Sequence, residues 1–355
     1  MKALIAMSGG VDSSVAALLM KKKGYDGVGC TMKLYDNEDA GIQREKTCCS
    51  LDDIEDARSV ARKLDFPYYV FNFKDGFREK VIDKFIHCYQ CGLTPNPCID
   101  CNRFMKFDKL YERAKILDCD VIVTGHYVRI EEKDGKYLLK KAVDDSKDQS
   151  YVLYQMTQEQ LKHSCFPLGE LRKSEVRAIA EENGFINADK PDSQDICFVP
   201  DGDYALAVER LSGIKGEPGN FVDKDGQILG KHKGIIHYTI GQRKGLGIPA
   251  KTPLYVVKID AEKNEVVLGS NEDLFTREFF VSEMNWISGE TPDKSFKCQA
   301  KIRYRHKEQD AEVFPLPDGT VRVVFDEPQR AITAGQAAVL YDGDVVLGGG
   351  VILNR

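Results

Sequence analysis

Apolar and polar residues follow two rhythms in the first third of the chain. The short run Ala3, Leu4, Ile5, Ala6 predicts a buried strand, and Ala16, Ala17, Leu18, Leu19 and Met20 then supply the apolar face of a helix. Residues 28–34, 68–73 and 121–125 read as further strands, and residues 53–64, 76–88 and 106–117 as helices between them. Alternation of this kind predicts a parallel, doubly wound sheet with its ligand at the C-terminal ends of the strands. A strand at 137–140 follows the Asp134-Gly135 turn, then helices at 151–162 and 174–183, the second closed by Gly184. After Pro200 glycines and short alternating runs take over. Six short stretches (255–259, 265–268, 299–304, 311–314, 321–325 and 337–341) predict a small barrel or sandwich. The chain thus divides into residues 1–200, a small β-rich unit at 201–270 and a β-barrel at 271–355.

Composition narrows the class. A chain of 355 residues with 30% charged and 42% hydrophobic residues has room for two or three cores. No apolar run approaches a membrane span and no export signal precedes the first strand, so cytoplasmic residence is expected. Eleven cysteines without an export signal argue against a disulfide framework. The net charge of −6 leaves room for local basic patches: Arg303-Tyr304-Arg305-His306-Lys307, Lys231-His232-Lys233 and Arg243-Lys244.

The turn between the first strand and helix is Ser8-Gly9-Gly10-Val11-Asp12-Ser13-Ser14. Two glycines let successive N–H groups converge, and the helix adds its positive end, so the turn is an anion cradle suited to a phosphate chain. It lacks the lysine of a Walker A loop. It resembles instead the PP-loop of ATP pyrophosphatases, in which a nucleophile attacks the α-phosphate and pyrophosphate leaves. Asp12 stands where magnesium or the phosphate-binding geometry must be organised.

The cysteines cluster. Cys98 and Cys101 lie in Thr94-Pro95-Asn96-Pro97-Cys98-Ile99-Asp100-Cys101, a proline-stiffened loop from which Cys101 is expected to open the next helix. A thiol at a helix start has its thiolate stabilised. Cys197 lies far away, in Asp195-Ile196-Cys197-Phe198. Cys88, Cys91, Cys98 and Cys101 have spacing that also suits a four-thiolate zinc site. Cys30, Cys48, Cys49, Cys119, Cys165 and Cys298 read as small buried hydrophobes.

These strings together resemble the tRNA-specific 2-thiouridylases. So do Thr124-Gly125-His126-Tyr127, Lys147-Asp148-Gln149-Ser150-Tyr151, Ser193-Gln194-Asp195-Ile196-Cys197-Phe198, the stretch 239–247 and Gly335-Gln336-Ala337. The resemblance implies a PP-loop ATP pyrophosphatase domain followed by a small central β-rich domain and a tRNA-contacting β-barrel. It implies ATP on Ala6, Met7, Ser8, Gly9, Gly10, Val11, Asp12 and Ser13, with adenosine near Met32 and Gly125, and Mg2+ as companion ion. The wobble uridine's 2-oxygen would be adenylated, a persulfide on Cys197 would deliver sulfur, and Cys101 would be its partner thiol. Asn96, Pro97 and Cys98 would border the target base, and His126, Lys147, Asp148, Gln149, Arg303, Tyr304 and Gln336 would contact tRNA. The implied partners are tRNA and a sulfur donor protein or sulfide source; no membrane partner is expected, and the free protein is expected to be a monomer. Many members of the family carry aspartate at the position of Cys98. That departure opens an alternative, a 4Fe–4S cluster on Cys98, Cys101 and Cys197 carrying a hydrosulfide. Two other classes compete: another PP-loop synthetase, and a zinc-bearing RNA-binding protein without catalysis.

Overall fold

The computed structural model describes residues 1–36, 51–191, 196–199 and 201–353. Cys48, Cys49, Ser193, Gln194, Asp195 and Pro200 lie outside the described residues. The first unit is built on a five-stranded sheet. Strand β1 (Lys2–Ala6) lies at its centre, between β2 (Asp26–Lys33) and β4 (Val121–Val123), all parallel. Strand β3 (Tyr68–Asn72) forms one edge. The other edge is β7 (Ser164–Cys165), in the order β3-β2-β1-β4-β7. Ala3, Leu4 and Ile5 are fully buried because both faces of β1 are covered, which is why its sequence is an unbroken apolar run. The chain order reverses between β1 and β4. The crevice for a ligand therefore opens beyond the C-terminal ends of those two strands.

Helix α1 (Val11–Lys22) follows β1 and α2 (Leu51–Lys63) follows β2. The next helix runs through residues 74–90, with a π-helical stretch at Arg78–Ile82. The expected helix at 106–117 begins earlier, at Pro97, and runs to Ile116 through a π-helical stretch at Cys101–Lys109. Its early start has a local cause: the Asn96 side chain accepts from the Cys98 N–H (3.2 Å), and Pro97 takes the first helical position, where a missing N–H costs nothing. The expected helix at 151–162 is two pieces, a 3-10 turn at Ser150–Leu153 and a helix at Gln158–Lys162. The second piece is started by a capping box between Thr157 and Gln160. Helix Lys173–Glu182 matches expectation, whereas helix Tyr204–Ser212, capped by Asp203 and closed by Gly213, did not stand out in the sequence.

Hairpin β5 (Val128–Lys133) and β6 (Lys136–Lys141) leaves the first sheet and reaches the third unit. The second unit is a four-stranded sheet of β8 (Gly219–Val222), β9 (Ile228–His232), β10 (Tyr255–Asp260) and β11 (Glu265–Gly269). The stretches 255–259 and 265–268, which alternate like the strands that follow them, pair here and not in the barrel. The barrel comprises β12 (Phe275–Trp286), β13 (Phe296–Lys301), β14 (Gln309–Pro315), β15 (Val321–Arg330), β16 (Ala337–Asp342) and β17 (Val345–Ile352). Pairing of β12 with both β15 and β17 closes it. Strand β13 ends at Lys301, so residues 302–304, expected as strand, form a turn. Strand β17 hid because it carries Gly348-Gly349-Gly350, where any side chain would meet the neighbouring strands' backbone.

Candidate active site

The turn from β1 to α1 has the shape an anion needs. Gly9 takes a φ of 74°, and a side chain there would collide with the Asp53 backbone of α2. Gly10 caps α1 without a side-chain bond. Among the described residues the N–H groups of Gly9, Gly10 and Val11 have no acceptor. They are three donors on one turn, at the positive end of a helix. The Ser13 hydroxyl braces the turn, donating to the Gly10 carbonyl (2.9 Å) and accepting from the Ser8 N–H (3.2 Å). Gly125, from the turn after β4, lies against Asp12 and Ser13 so closely that a Cβ would stand 2.9 Å from the Ser13 nitrogen. Met32 lies near the C-terminal end of β2, half-buried against the core.

Asp12 does not stand free to ligate a metal. Lys173 Nζ donates to both its carboxylate oxygens (2.7 and 2.8 Å), and the Tyr127 hydroxyl donates to Oδ1 (2.7 Å). Lys173 is itself 9% exposed and is fixed through its backbone N–H to Asp144 (2.9 Å). Asn187 Nδ2 donates to the Gly9 carbonyl (2.8 Å) and to Ser14 Oγ (2.9 Å), and Lys190 bonds Asp53 and Asp56 beside it. The Asn187 Oδ1 is buried without a partner. None of Lys173, Tyr127, Asn187 and Lys190 was legible as a loop residue in the sequence. They come from separate segments, and only the fold assembles them. Magnesium fits here only as a companion of the phosphates, since Asp12 is already engaged.

The cysteine loop differs from expectation. Cys98, not Cys101, sits in the first helical turn and is exposed; Cys101 lies one turn further on, half-buried, at the start of the π-helical stretch. Asp100 is buried and accepts from Lys84 (2.8 Å); burial outweighs that lysine and raises its carboxyl above the ordinary range. Cys197 is half-buried and its carbonyl accepts from the Tyr35 hydroxyl (2.6 Å). Cys101 and Cys197 pack against the same hydrophobic cluster. Among the described residues no three His, Cys, Asp or Glu side chains stand close enough to hold a metal ion. Neither the zinc quartet of Cys88, Cys91, Cys98 and Cys101 nor the iron–sulfur triad of Cys98, Cys101 and Cys197 is assembled, so the donor sets do not fit those groups. Cys30 is buried as expected, while Cys119, Cys165 and Cys298 are half-buried; burial pushes the Cys298 thiol up to about 12.

Comparison with known proteins decides the family. The profile described as tRNA methyl transferase HUP domain matches residues 1–201, that described as tRNA methyl transferase PRC-barrel domain residues 211–270, and that described as aminomethyltransferase beta-barrel domain residues 276–352. The tRNA-specific 2-thiouridylase MnmA of Clostridioides difficile (strain 630) is 54% identical over 99% of this chain and 98% of its own length. The protein of the same name from Acetivibrio thermocellus is 53% identical over 99% of both. The chain belongs to the tRNA-specific 2-thiouridylase family. Among solved structures, a 4-thiouridine synthetase–RNA complex with bound ATP is 15% identical over 59% of this chain and 53% of that one, with a TM-score of 0.36, too slight a likeness to bear on function.

The residues that the thiouridylase resemblance assigned to RNA are placed unevenly. Tyr304 is exposed, its hydroxyl donating to the Asp148 carbonyl (3.2 Å). Tyr304 also lies edge-on to the buried Tyr151 ring (6.0 Å between centroids), so the side chain is covered on one side, and that desolvation, with the nearby Asp148 charge, raises the pKa of its hydroxyl. Arg303 Nη1 donates to the Arg330 carbonyl (3.2 Å), and Gln336 Nε2 donates to the Thr94 carbonyl (2.7 Å), tying the barrel to the loop ahead of Cys98. Lys147 is half-buried. Asp148 and Gln149 turn inward: Asp148 accepts from the Ala142 N–H and the Ser150 hydroxyl, and Gln149 from the Tyr127 N–H. His126 is buried rather than presented to a partner. Lys106 Nζ bonds its Nε2 (3.3 Å), Thr124 its Nδ1 (2.7 Å), and burial together with Lys106 holds its pKa well below the ordinary 6.5.

Proposed function

We propose that this protein replaces the 2-oxygen of the wobble uridine of tRNA with sulfur at the expense of ATP. The full-length likeness to relatives named 2-thiouridylase carries the reading. ATP phosphates lie on residues 6–13 with the adenosine between Met32 and Gly125, and magnesium neutralises phosphate charge. The uridine 2-oxygen attacks the α-phosphorus and pyrophosphate leaves, its charge met by the N–H groups of Gly9, Gly10 and Val11. Lys173 keeps Asp12 and the first turn of α1 in place throughout.

The terminal sulfur of a Cys197 persulfide then attacks the activated carbon and AMP departs with the former 2-oxygen. Cys101 thiolate attacks the Cys197 sulfur, which frees the thiouridine and leaves a Cys101–Cys197 disulfide. A reductant reopens it, and a donor protein's persulfide passes its outer sulfur to the Cys197 thiolate, the donor leaving as a thiol. Where the source is sulfide, hydrosulfide attacks the Cys197 sulfur of the disulfide itself, forming the Cys197 persulfide and releasing the Cys101 thiolate without a separate reductant. Asn96, Pro97 and Cys98 border the base; Lys147, Arg303, Tyr304 and Gln336 face the RNA, with Asp148 and Gln149 acting through the backbone they hold and His126 through the Lys106 and Thr124 side chains. The units divide at residues 200 and 270, and the protein works in the cytoplasm as a monomer when free. Among the described residues no helix is long and apolar enough to cross a membrane.

The decisive test is mass analysis of tRNA nucleosides from cells lacking the gene, which should lose wobble 2-thiouridine. With purified protein, Cys197→Ser and Cys101→Ser should each abolish thiolation and keep pyrophosphate release. A Cys197→Ser protein that still makes 2-thiouridine would sink the role given to that thiol.

A further inference from the structure

The three units meet around a cavity of about 230 Å³ whose wall includes Arg303 and Gln336, turned to the RNA in the reading above, together with Arg330, to which that reading gives no part. Thr94 comes from the first unit, Thr239 and Gly241 from the second, and Arg303, Arg330 and Thr333 from the barrel. No carboxylate lines it, and neither arginine makes an ion pair among the described residues. Arg330 is held from behind. Its Nε donates to Asn271 Oδ1 (3.1 Å), its Nη2 reaches the Gly241 carbonyl (3.5 Å), and the guanidinium lies over the Tyr255 ring (5.3 Å to the centroid). Its Nη1 has no hydrogen-bond partner among the described residues, and only Nη1 of Arg303 has one.

The wall is also strained. Ala331 takes a φ of 56°, a left-handed conformation that is unfavourable for a residue with a Cβ. Gly241, with a φ of 87°, lies against it so closely that a Cβ would stand 3.0 Å from that of Ala331 and 3.4 Å from Arg330 Nη1. A side chain at Gly241 would fill the space in front of Arg330 Nη1. Two guanidiniums with spare donors, no balancing carboxylate and hydroxyls at the rim suit a phosphodiester, for which the planar arginine fork is the best-matched side chain. The volume is below that of a drug-sized site and suits a single small group.

We propose that this cavity seats one backbone phosphate of the bound tRNA, gripped by Arg303 and Arg330; the proposal rests on the tRNA reading above. It gives the second unit a part in RNA binding through Thr239 and Gly241. The phosphate spans the second unit and the barrel at the place where Thr94 brings in the cysteine loop.

The test is a salt series of binding between the full-length protein and fluorescently labelled tRNA lacking 2-thiouridine. Arg330→Gln should reduce the slope of log K against log salt by about one. Thr333→Glu, which adds a carboxylate to the cavity and leaves Arg330 and Asn271 untouched, should weaken binding about tenfold or more at ~0.1 M salt. If Arg330→Gln fails to fold, Thr333→Glu alone decides. Slope and affinity unchanged in folded variants overturn the proposal. So does inorganic phosphate that binds in an Arg330-dependent way without competing with tRNA, since the cavity would then be a small-anion site. Formation of 2-thiouridine by the unaltered protein is followed separately: its absence alongside intact Arg330-dependent tRNA binding removes the activity and leaves the phosphate seat.

Discussion

Asp12 and Lys173 lie 161 positions apart in sequence and form a three-bond cluster with Tyr127 at the mouth of the phosphate loop. Removing the lysine leaves a half-buried carboxylate beside incoming phosphates, a like charge where the site needs none. Lys173→Met should therefore lower tRNA-dependent pyrophosphate release by about a hundredfold or more and cost about 2 kcal/mol of stability. Pyrophosphate release at the normal rate would deny the pair a part in adenylation. Tyr127→Phe keeps the ion pair and should cost less on both counts. His126 yields a pH prediction of definite sign. Its folded pKa lies well below the ordinary 6.5, so the unfolded chain binds the proton first as pH falls. Stability should be undiminished above pH 6.5 and decline as pH drops from there towards the folded value. Denaturant midpoints at a series of pH values should show a shallower acid decline for His126→Gln than for the unaltered protein.

At the scale of elements, neighbouring glycines in one loop do different things. Gly9 needs its left-handed backbone and the space beside α2, because a Cβ would strike the Asp53 carbonyl. Gly10 has ordinary angles, and its nearest obstacle would be Ser8 Oγ at 3.5 Å. Gly9→Ala should shift α2 away from the loop, destabilise by about 2 kcal/mol or more and abolish pyrophosphate release. Gly10→Ala should cost only the difference between glycine and alanine at a helix cap, about 1 kcal/mol or less. Thermal melts read beside pyrophosphate release test the contrast, and equal effects would show that the loop's shape is not set by α2. The helix at residues 97–116 follows the same local logic, since Asn96 and Pro97 start it ahead of its amphipathic stretch.

Across the whole molecule, the barrel is fastened to the first unit on two sides. Hairpin β5–β6 joins β17 through Val345 and Lys140, with Arg129 paired to Asp344 (2.7 Å) and Lys141 to Glu308 (2.5 Å). On the other side Gln336 and Ala334 hold Thr94, two residues ahead of Asn96. The barrel thereby sets the position of the loop that carries Cys98 and Cys101. Gln336→Ala frees one backbone carbonyl and should raise amide hydrogen exchange across residues 93–98. Thiolation should fall several-fold through misplacement of the loop, with ATP binding unchanged. Protection across 93–98 that matches the unaltered protein would mean that the barrel does not position the loop.

Local pattern sufficed wherever one segment contains its own cause. The buried run of β1, the glycines and hydroxyls of the phosphate loop, and the strand–helix alternation of the first unit were all legible, because period and turn chemistry act over a few residues. The barrel was legible as a class but not strand by strand: β10 and β11 alternate like the barrel strands that follow yet pair with each other and with β8, and β17 carries glycines that only its close neighbours explain. Asp12 could be singled out from its motif, but its partners could not. Lys173 sits in a helix sequence like many others and Tyr127 in a string that gives no sign of Asp12, and only the packing of distant segments brings their charges and hydroxyls within hydrogen-bond reach. The cysteine spacings show the converse. Four thiols at metal-like intervals looked like ligands by spacing, and the family resemblance added a fifth far away, yet the backbone path, with Cys98 and Cys101 on a continuous helix, holds no three of the described ligand groups together. Sequence sets which groups a chain carries and which short segments they stiffen; which groups meet is decided by long-range packing, because a contact energy depends on distance in space and not along the chain.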